Sequence, residues 1–231
     1  MKKENIAIFG YMDTFTGQII NMLDKHTVKN VKFIISVKKI PKINISKEHS
    51  QRPNNKTEFI VKNKIFSKKV YYKKNYINFL KKNNIKYCYI LEDDKYLRES
   101  IFLNLKKNNF NISTFIHKSS ILIGKNKIGE GSIIYPNCYI GYKTDIGNCV
   151  VIQSNSTIEH HNVIKSFVDI NPGVITGGFS KIEKRTTIHL GTKIINKITI
   201  GKDIIVGAGS LVLKNLSKKG LYFGSPAKFI K

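Results

Sequence analysis

Tryptophan is absent from this 231-residue chain, arginine occurs only at Arg52, Arg98 and Arg185, and alanine only at Ala7, Ala208 and Ala227. Acid is also scarce: 15 Asp and Glu face 40 Lys and Arg, for a formal net charge of +25. A basic surface binds polyphosphate through counterion release, so nucleic acid is the first partner to weigh. The lysines, however, are scattered and lack the aromatic interleaving of a single-strand groove. Excess Lys, Asn and Ile beside scarce Arg and Ala is what an AT-rich genome writes on any protein, so no nucleic-acid partner is expected. The three cysteines, Cys88, Cys138 and Cys149, have neither disulfide-framework nor metal-ligand spacing. They read as free packing residues, and no metal is expected. No apolar run approaches the roughly eighteen residues a membrane span needs. The opening Met1-Lys-Lys-Glu-Asn-Ile has no apolar stretch of signal-peptide length, so the expectation is a cytoplasmic protein without a membrane partner.

What the chain has in abundance is a six-residue period from Ile116 to Ser217. The repeat starts, Ile116, Leu122, Ile128 and onward to Val212, are aliphatic at sixteen of seventeen positions, Thr176 being the exception. The fifth position of each hexad is mostly small or β-branched, as at Ser132, Cys138, Thr144, Ser156, Ser180 and Thr192. Positions five and one of the next hexad are two apart, so on a strand both side chains point the same way. One short strand per hexad and three strands per triangular coil follow, with the aliphatic ladders buried by stacking. The ladders are Ile116, Ile134, Ile152, Ile170, Ile188, Val206; Leu122, Ile140, Ile158, Thr176, Ile194, Val212; and Ile128, Ile146, Ile164, Ile182, Ile200. Glycines at the corners, such as Gly141 and Gly177, suit close backbone approach.

The first half reads differently. Ile6–Phe9, then Gly10 through Gly17, then the apolar Ile19, Ile20, Met22 and Leu23 suggest strand, loop and helix. Further strands are expected at Val31–Val37 and Ile85–Leu91, and helices at Asn75–Lys82 and Tyr96–Lys107, where Leu97, Ile101 and Leu105 recur at fourfold spacing. Pro41 to Asn63 is polar and irregular. Alternating strands and helices imply a small parallel sheet, a Rossmann-type α/β module ahead of the all-β coil. The turn from Gly10 to Gly17 lacks the Gly-x-Gly-x-x-Gly spacing, and Ser36 and Lys38 rather than an acid end the second strand. It is either a ligand-binding turn or an ordinary connection.

Within the hexads, Ile158-Glu-His-His-Asn162 stands out, because a coil surface needs no pair of histidines. These are either solvated corner residues or a proton acceptor poised near neutral pH. One coil down from His160 lies Tyr142 and one coil up lies Gly178, so Gly178 is expected beside the imidazole. A backbone N–H there would suit a thioester carbonyl during attack. Strand alternation would put Glu159 and His161 on the side opposite His160.

The N-terminal module, His117-Lys-Ser-Ser, the unbroken hexads, Ile158-Glu-His-His-Asn-Val-Ile, Asn171-Pro-Gly173, Gly207-Ala-Gly-Ser-Leu-Val and Gly220-Leu-Tyr-Phe-Gly-Ser-Pro-Ala-Lys228 together resemble the sugar acetyltransferases of the NeuD/PglD family. The resemblance implies a Rossmann-like acceptor-binding domain at 1–110 and a left-handed parallel β-helix of hexapeptide repeats with a C-terminal tail at 111–231, against the usual hand of crossovers. It also implies a homotrimer with acetyl-CoA between neighbouring subunits and a nucleotide-linked sugar as acceptor. His160 matches the catalytic base and Gly178 the amide at the thioester oxygen; Gly191, Ala208 and Lys228 fall along the cofactor. His117 matches a structural residue, and His189 is either surface or a ligand contact. Three departures are visible. His161 stands where the family has an acid, and Asp169 stands where a second histidine is common and would supply the carboxylate orienting the imidazole. Gly10, Asp13, Gly17 and Ser36 replace the glycine-rich loop as acceptor-binding candidates. Acetylation of an amino sugar, acetylation of a sugar hydroxyl and a non-catalytic trimeric sugar-binding role all remain open on this reading.

Overall fold

The computed structural model describes residues 5–10, 13–38, 64–65 and 68–231. The stretch expected to be irregular, Pro41 to Asn63, lies outside the described residues, as do Tyr11 and Met12. The chain divides into two compact units. One comprises the described residues through Asp94 together with Leu103–Ile112, and the other Lys95–Phe102 together with Ser113–Lys231.

The first unit is a six-stranded sheet in the order β3-β4-β2-β1-β5-β6, built from β1 (Ile6–Phe9), β2 (Val31–Ser36), β3 (Lys64–Ile65), β4 (Lys68–Tyr72), β5 (Tyr87–Ile90) and β6 (Asn111–Ile112). All pairings are parallel except β3 with β4. All four side chains of β1 are buried, as expected for a central strand covered on both faces. A wide π-type turn, Asp13–Gly17, runs directly into α1 (Gln18–Met22). Asp24 then caps α2 (Lys25–Asn30), accepting from the Thr27 N–H at 2.9 Å. The helix α3 (Tyr76–Lys82) buries Tyr76 and Leu80, with Phe9 edge-on to Tyr76 at 5.0 Å. The order reverses at β1, since the chain proceeds to β2 on one side and returns to β5 on the other. That makes the carboxyl ends of β1 and β5 a topological switch point.

The second unit is a parallel β-solenoid. Strands of two residues, three at Ile204–Val206, recur every hexad from Phe115–Ile116 to Leu211–Val212, and they pair with strands eighteen residues on, as Ile134 with Ile152 and Ile140 with Ile158. Three sheets of eight, six and five strands form its faces. The ladder residues from Ile134 onward are buried, whereas Ile116 at the start of the stack is 39% exposed. Corners follow one rule. The residue after the third position turns left-handed, at Asn137, Lys143, Asn155, His161, Phe179 and Arg185 among others, with φ between 51° and 62°. The preceding glycines serve close approach instead: a methyl on Gly141 would lie 2.5 Å from the His160 backbone nitrogen. Fifth-position hydroxyls tie the coils together. Ser132 donates to the Gly147 carbonyl at 2.7 Å and accepts from the Val150 N–H at 3.1 Å, and Ser180 repeats the pattern with Ile195 and Ile198. At the far end Gly220–Phe223 extends the first face in parallel, and Lys228–Phe229 closes it antiparallel. This terminal hairpin lies outside the hexad pattern and covers a sheet edge.

The helix α4 (Lys95–Lys107) contributes Lys95–Phe102 to the second unit. There Arg98 is fully buried, its guanidinium donating to the Cys149 carbonyl at 3.1 Å and to Asp169. Glu99 pairs with Lys184 and, at 2.9 Å, with Arg185, which in turn holds Asp203 at 2.7 Å. The Arg185 guanidinium keeps the Asp203 carboxyl below the usual carboxylate range, and Asp203 and Glu99 hold the Arg185 guanidinium above its ordinary value.

Candidate active site

His160 and His161 sit in the corner that follows the strand Thr157–Ile158, and the corner one coil later carries Gly178 and Phe179. The expected neighbour is present. A methyl built on Gly178 would fall 2.6 Å from Cε1 and 2.8 Å from Nε2 of His160, so the glycine lies directly against the imidazole. The Gly178 N–H has no hydrogen-bond partner among the described residues.

The expected separation of His160 from His161 is overturned. His161 adopts φ 57°, and this left-handed turn swings its side chain back, so that the two Nδ1 atoms lie 3.1 Å apart. Strand alternation does not extend into a corner residue of this conformation. The His161 ring stacks on Phe179 at 4.7 Å and 11°, and meets Tyr142 edge-on at 5.8 Å. His160 is edge-on to the same Phe179 at 5.2 Å. In the tautomer that places the shared proton on Nδ1 of His160, Nε2 of that exposed residue is a proton acceptor.

Beneath this corner the regular core is interrupted twice. Thr176 replaces a ladder aliphatic, and Asn162 replaces the fifth-position hydroxyl; both are fully buried. The Asn162 side-chain NH2 lies 2.6 Å from the Glu159 carbonyl, 3.0 Å from Thr176 Oγ1 and 3.1 Å from the Gly177 carbonyl, its two protons serving the three acceptors with one of them shared. Its oxygen accepts from the Ser180 N–H at 2.8 Å, and Thr176 Oγ1 also accepts from the Glu159 N–H at 3.3 Å. Asn162 was not legible as a site residue: Asn126 is a second amide at that position, in a series otherwise of hydroxyls, one thiol and aliphatics, and only Asn162 reaches a ladder hydroxyl.

Other expected residues lie elsewhere. Asp169 is nine residues beyond His160, half of an eighteen-residue coil, which sets it on a different face. There its carboxylate pairs with Arg98. Gly191 and Ala208 are exposed at another corner, where Gly173, Gly191 and Gly209 stack with φ of 69°, 67° and 67°. Nothing lies within 4 Å of a methyl built on Gly191. His189, just before it, bonds Asn171 at 3.0 Å. His117 binds Ser119 at 2.9 Å at the start of the coil. Lys228 is exposed in the terminal hairpin.

In the first unit, Gly10 and Ser36 both reach the carboxyl edge of the sheet. Gly10 has φ 144° and packs against the Leu91 carbonyl and Thr16 Oγ1, so no side chain fits there. Thr16 donates to Leu91 O at 2.9 Å, and the Ser36 hydroxyl donates to the Lys38 carbonyl at 2.6 Å. Gly17 falls inside the helical path rather than at its start, with φ −65° and ψ −41°. Asp13 begins the π-type turn; its side chain lies outside the described residues. Glu92 ends this edge nearly fully buried, and burial, with Asp93 hydrogen-bonded beside it, pushes its carboxyl up to about 8. Among the described residues no group of three His, Cys, Asp or Glu is placed to hold a metal ion, and no helix is long and apolar enough to cross a membrane.

Comparison with known proteins bears on both units. Residues 127–160 match the family model of the bacterial transferase hexapeptide (six repeats). Serine acetyltransferase of Buchnera aphidicola subsp. Schizaphis graminum is 38% identical over 86 residues, 37% of this chain and 32% of that protein. The chain thus spans about a third of the length of that relative. Perosamine N-acetyltransferase from Caulobacter crescentus, solved with CoA and GDP-perosamine, superposes with a TM-score of 0.82 at 19% identity, over 98% of this chain and 97% of its own. The acetyltransferase domain of PglB from Neisseria gonorrhoeae, solved with acetyl coenzyme A, gives 0.78 at 17% identity, over 98% and 99%. At these identities the likeness shows that the fold is shared from end to end.

Proposed function

We propose that the chain is an acetyl-CoA-dependent N-acetyltransferase acting on the amino group of a nucleotide-linked amino-deoxy sugar. The observation that carries this reading is the placement of His160 against Gly178, a proton acceptor beside an unpartnered backbone N–H on the rim of the coil. The full-length likeness to two structures described as holding CoA or acetyl coenzyme A supports it.

Nε2 of His160 takes the proton from the acceptor amine as its nitrogen attacks the thioester carbonyl carbon. The Gly178 N–H meets the oxygen that becomes negative, and collapse of the tetrahedral adduct expels CoA thiolate, which the imidazolium protonates. His161 holds the imidazole in the tautomer that leaves Nε2 free. The cofactor extends to Gly191, Ala208 and Lys228, and the edge bearing Gly10, Asp13, Gly17 and Ser36 takes the acceptor. His160 and Gly191 lie on different corner stacks of the triangular solenoid and on different coils, so a cofactor touching both lies between two copies of the chain. The exposed apolar residues Ile175, Leu190, Ile195 and Leu213 on that side suit such an assembly, read here as a homotrimer.

The test is release of free CoA thiol from acetyl-CoA with a panel of nucleotide-linked amino sugars and their hydroxyl counterparts. Turnover with an amine, reduced about a thousandfold by His160→Ala, is expected. Turnover only with a hydroxyl would redirect the acceptor, and transfer unchanged by His160→Ala would remove the assigned base.

A further inference from the structure

We infer that Asn162 and Thr176 form a buried positioning pair that holds the His160–His161 corner in register with the Gly178 corner. The inference rests on the proposed role of His160 as base and deepens it.

Elsewhere in the solenoid a hydroxyl at Asn162's place makes two bonds, one to the carbonyl fifteen residues on and one from the N–H eighteen residues on, as Ser132 and Ser180 do. Asn162 makes the same two bonds, to the Gly177 carbonyl and from the Ser180 N–H. Its longer amide also reaches the Glu159 carbonyl and Thr176 Oγ1, its two protons being shared among the three acceptors. The Glu159 carbonyl and the Asn162 side chain bracket the two residues His160 and His161, so this bond closes the histidine turn on itself. Thr176 then ties the Glu159 N–H into the same cluster. A single amide therefore grips the backbone on both sides of the histidines and on both sides of Gly178.

The solenoid does not need this arrangement to fold. An aliphatic occupies Thr176's place in every other rung, and Ser, Thr or an apolar residue occupies Asn162's except at Asn126, two coils below, whose amide makes only two bonds, to the Ile140 carbonyl at 3.3 Å and from the Thr144 N–H at 3.0 Å, and meets no ladder hydroxyl. Burying a hydroxyl and an amide where a ladder otherwise needs neither forgoes hydrophobic stabilisation. The two irregularities sit one coil apart, bond to each other, and lie beneath the one corner that carries a histidine pair. Polar substitutions of this kind that cost stability and converge on one site mark a site that geometry must hold. Both residues are buried and touch no reacting atom; they act through the backbone that carries His160 and Gly178.

The test restores the regular pattern with Asn162→Ser and Thr176→Ile together, a change that removes atoms at one position and returns them at its neighbour. The repaired protein is expected to melt at or above the temperature of the unmodified one. Its kcat is expected to fall about tenfold, since small misplacements of reacting groups are costly, while KM for acetyl-CoA stays within about twofold. Thr176→Ser, which keeps the acceptor oxygen, should retain most of kcat. Nitrogen-15 NMR of the histidines supplies a readout independent of turnover: the Nδ1 to Nδ1 hydrogen bond should be present in the unmodified protein and weakened or lost in the repaired one. Full kcat with an intact histidine hydrogen bond in the repaired protein would overturn the inference. An unmodified protein that transfers no acetyl group would instead sink the proposed function, and the NMR comparison would still decide whether the pair positions the histidines.

Discussion

Replacing Gly178 by alanine isolates the central geometry, because it keeps the backbone N–H and adds one methyl. That methyl would stand 2.6 Å from Cε1, 2.8 Å from Nε2 and 3.1 Å from Nδ1 of His160. Carbon contacts are comfortable at about 3.5–4.0 Å, so the overlap is close to 1 Å over one edge of the ring. Gly178 is not among the residues with positive φ, so alanine fits the backbone and the strain falls on the imidazole. His160 is exposed and free to swing away, which predicts a stability change within about 0.5 kcal/mol. The ring moves by about 1 Å and its Nδ1 leaves His161; a misplacement of that size costs about a hundredfold in rate, or about 2.7 kcal/mol in the barrier. Steady-state thiol release and a thermal melt on the same preparation check both halves. A Gly178→Ala protein with kcat within about twofold of the unmodified one would refute the argument, because the methyl could not then share space with a working base.

Three further outcomes follow from the same geometry. Phe179→Leu removes the ring stacked on His161, a contact worth about 0.5–1.5 kcal/mol when buried and less at this exposed site, so kcat should drop about threefold. In a His161→Asp background, where charge rather than stacking would hold the imidazole, the same change should do little; equal losses in both backgrounds would contradict the coupling. Burial, with Asp93 beside it, pushes the Glu92 carboxyl from 4.5 up to about 8, so the folded protein keeps a proton there that the unfolded chain releases. Stability is therefore full below about pH 4.5 and falls as pH rises towards about 8, and Glu92→Gln should raise the melting temperature near pH 8 but not near pH 4, as paired thermal melts would show. Arg98→Met strands the Asp169 carboxylate and the Cys149 carbonyl without their guanidinium and should cost about 3 kcal/mol in denaturant unfolding, whereas a cost below about 1 kcal/mol would show that the pair is not structural.

The solenoid was readable residue by residue because an eighteen-residue coil stacks each hexad start on the next, so an aliphatic every six residues can be satisfied in no other way. The placement of Gly178 beside His160 followed from the same arithmetic, since coil spacing relates corners as well as strands. The direction of His161 did not follow, because alternation governs extended backbone and His161 is left-handed. The role of Asn162 is not legible for a related reason: a polar residue near a corner reads as solvated, whereas its side chain points inward to Thr176. Arg98 was hidden in the first half, where Leu97, Ile101 and Leu105 announce a buried helix stripe but nothing announces a buried guanidinium beside it. The short strands Lys64–Ile65 and Lys68–Tyr72 and the terminal hairpin carry no period and were not anticipated. Asp169, nine residues from His160, is near in sequence and half a coil away in space.

A structure of the protein with CoA bound tests the account most directly. The account predicts the CoA sulfur within about 4 Å of His160 Nε2, beside the Gly178 N–H, with the rest of the cofactor running towards Gly191 and Ala208 of a neighbouring copy. A sulfur bound away from His160 and Gly178, or a cofactor confined to one copy of the chain, would contradict it.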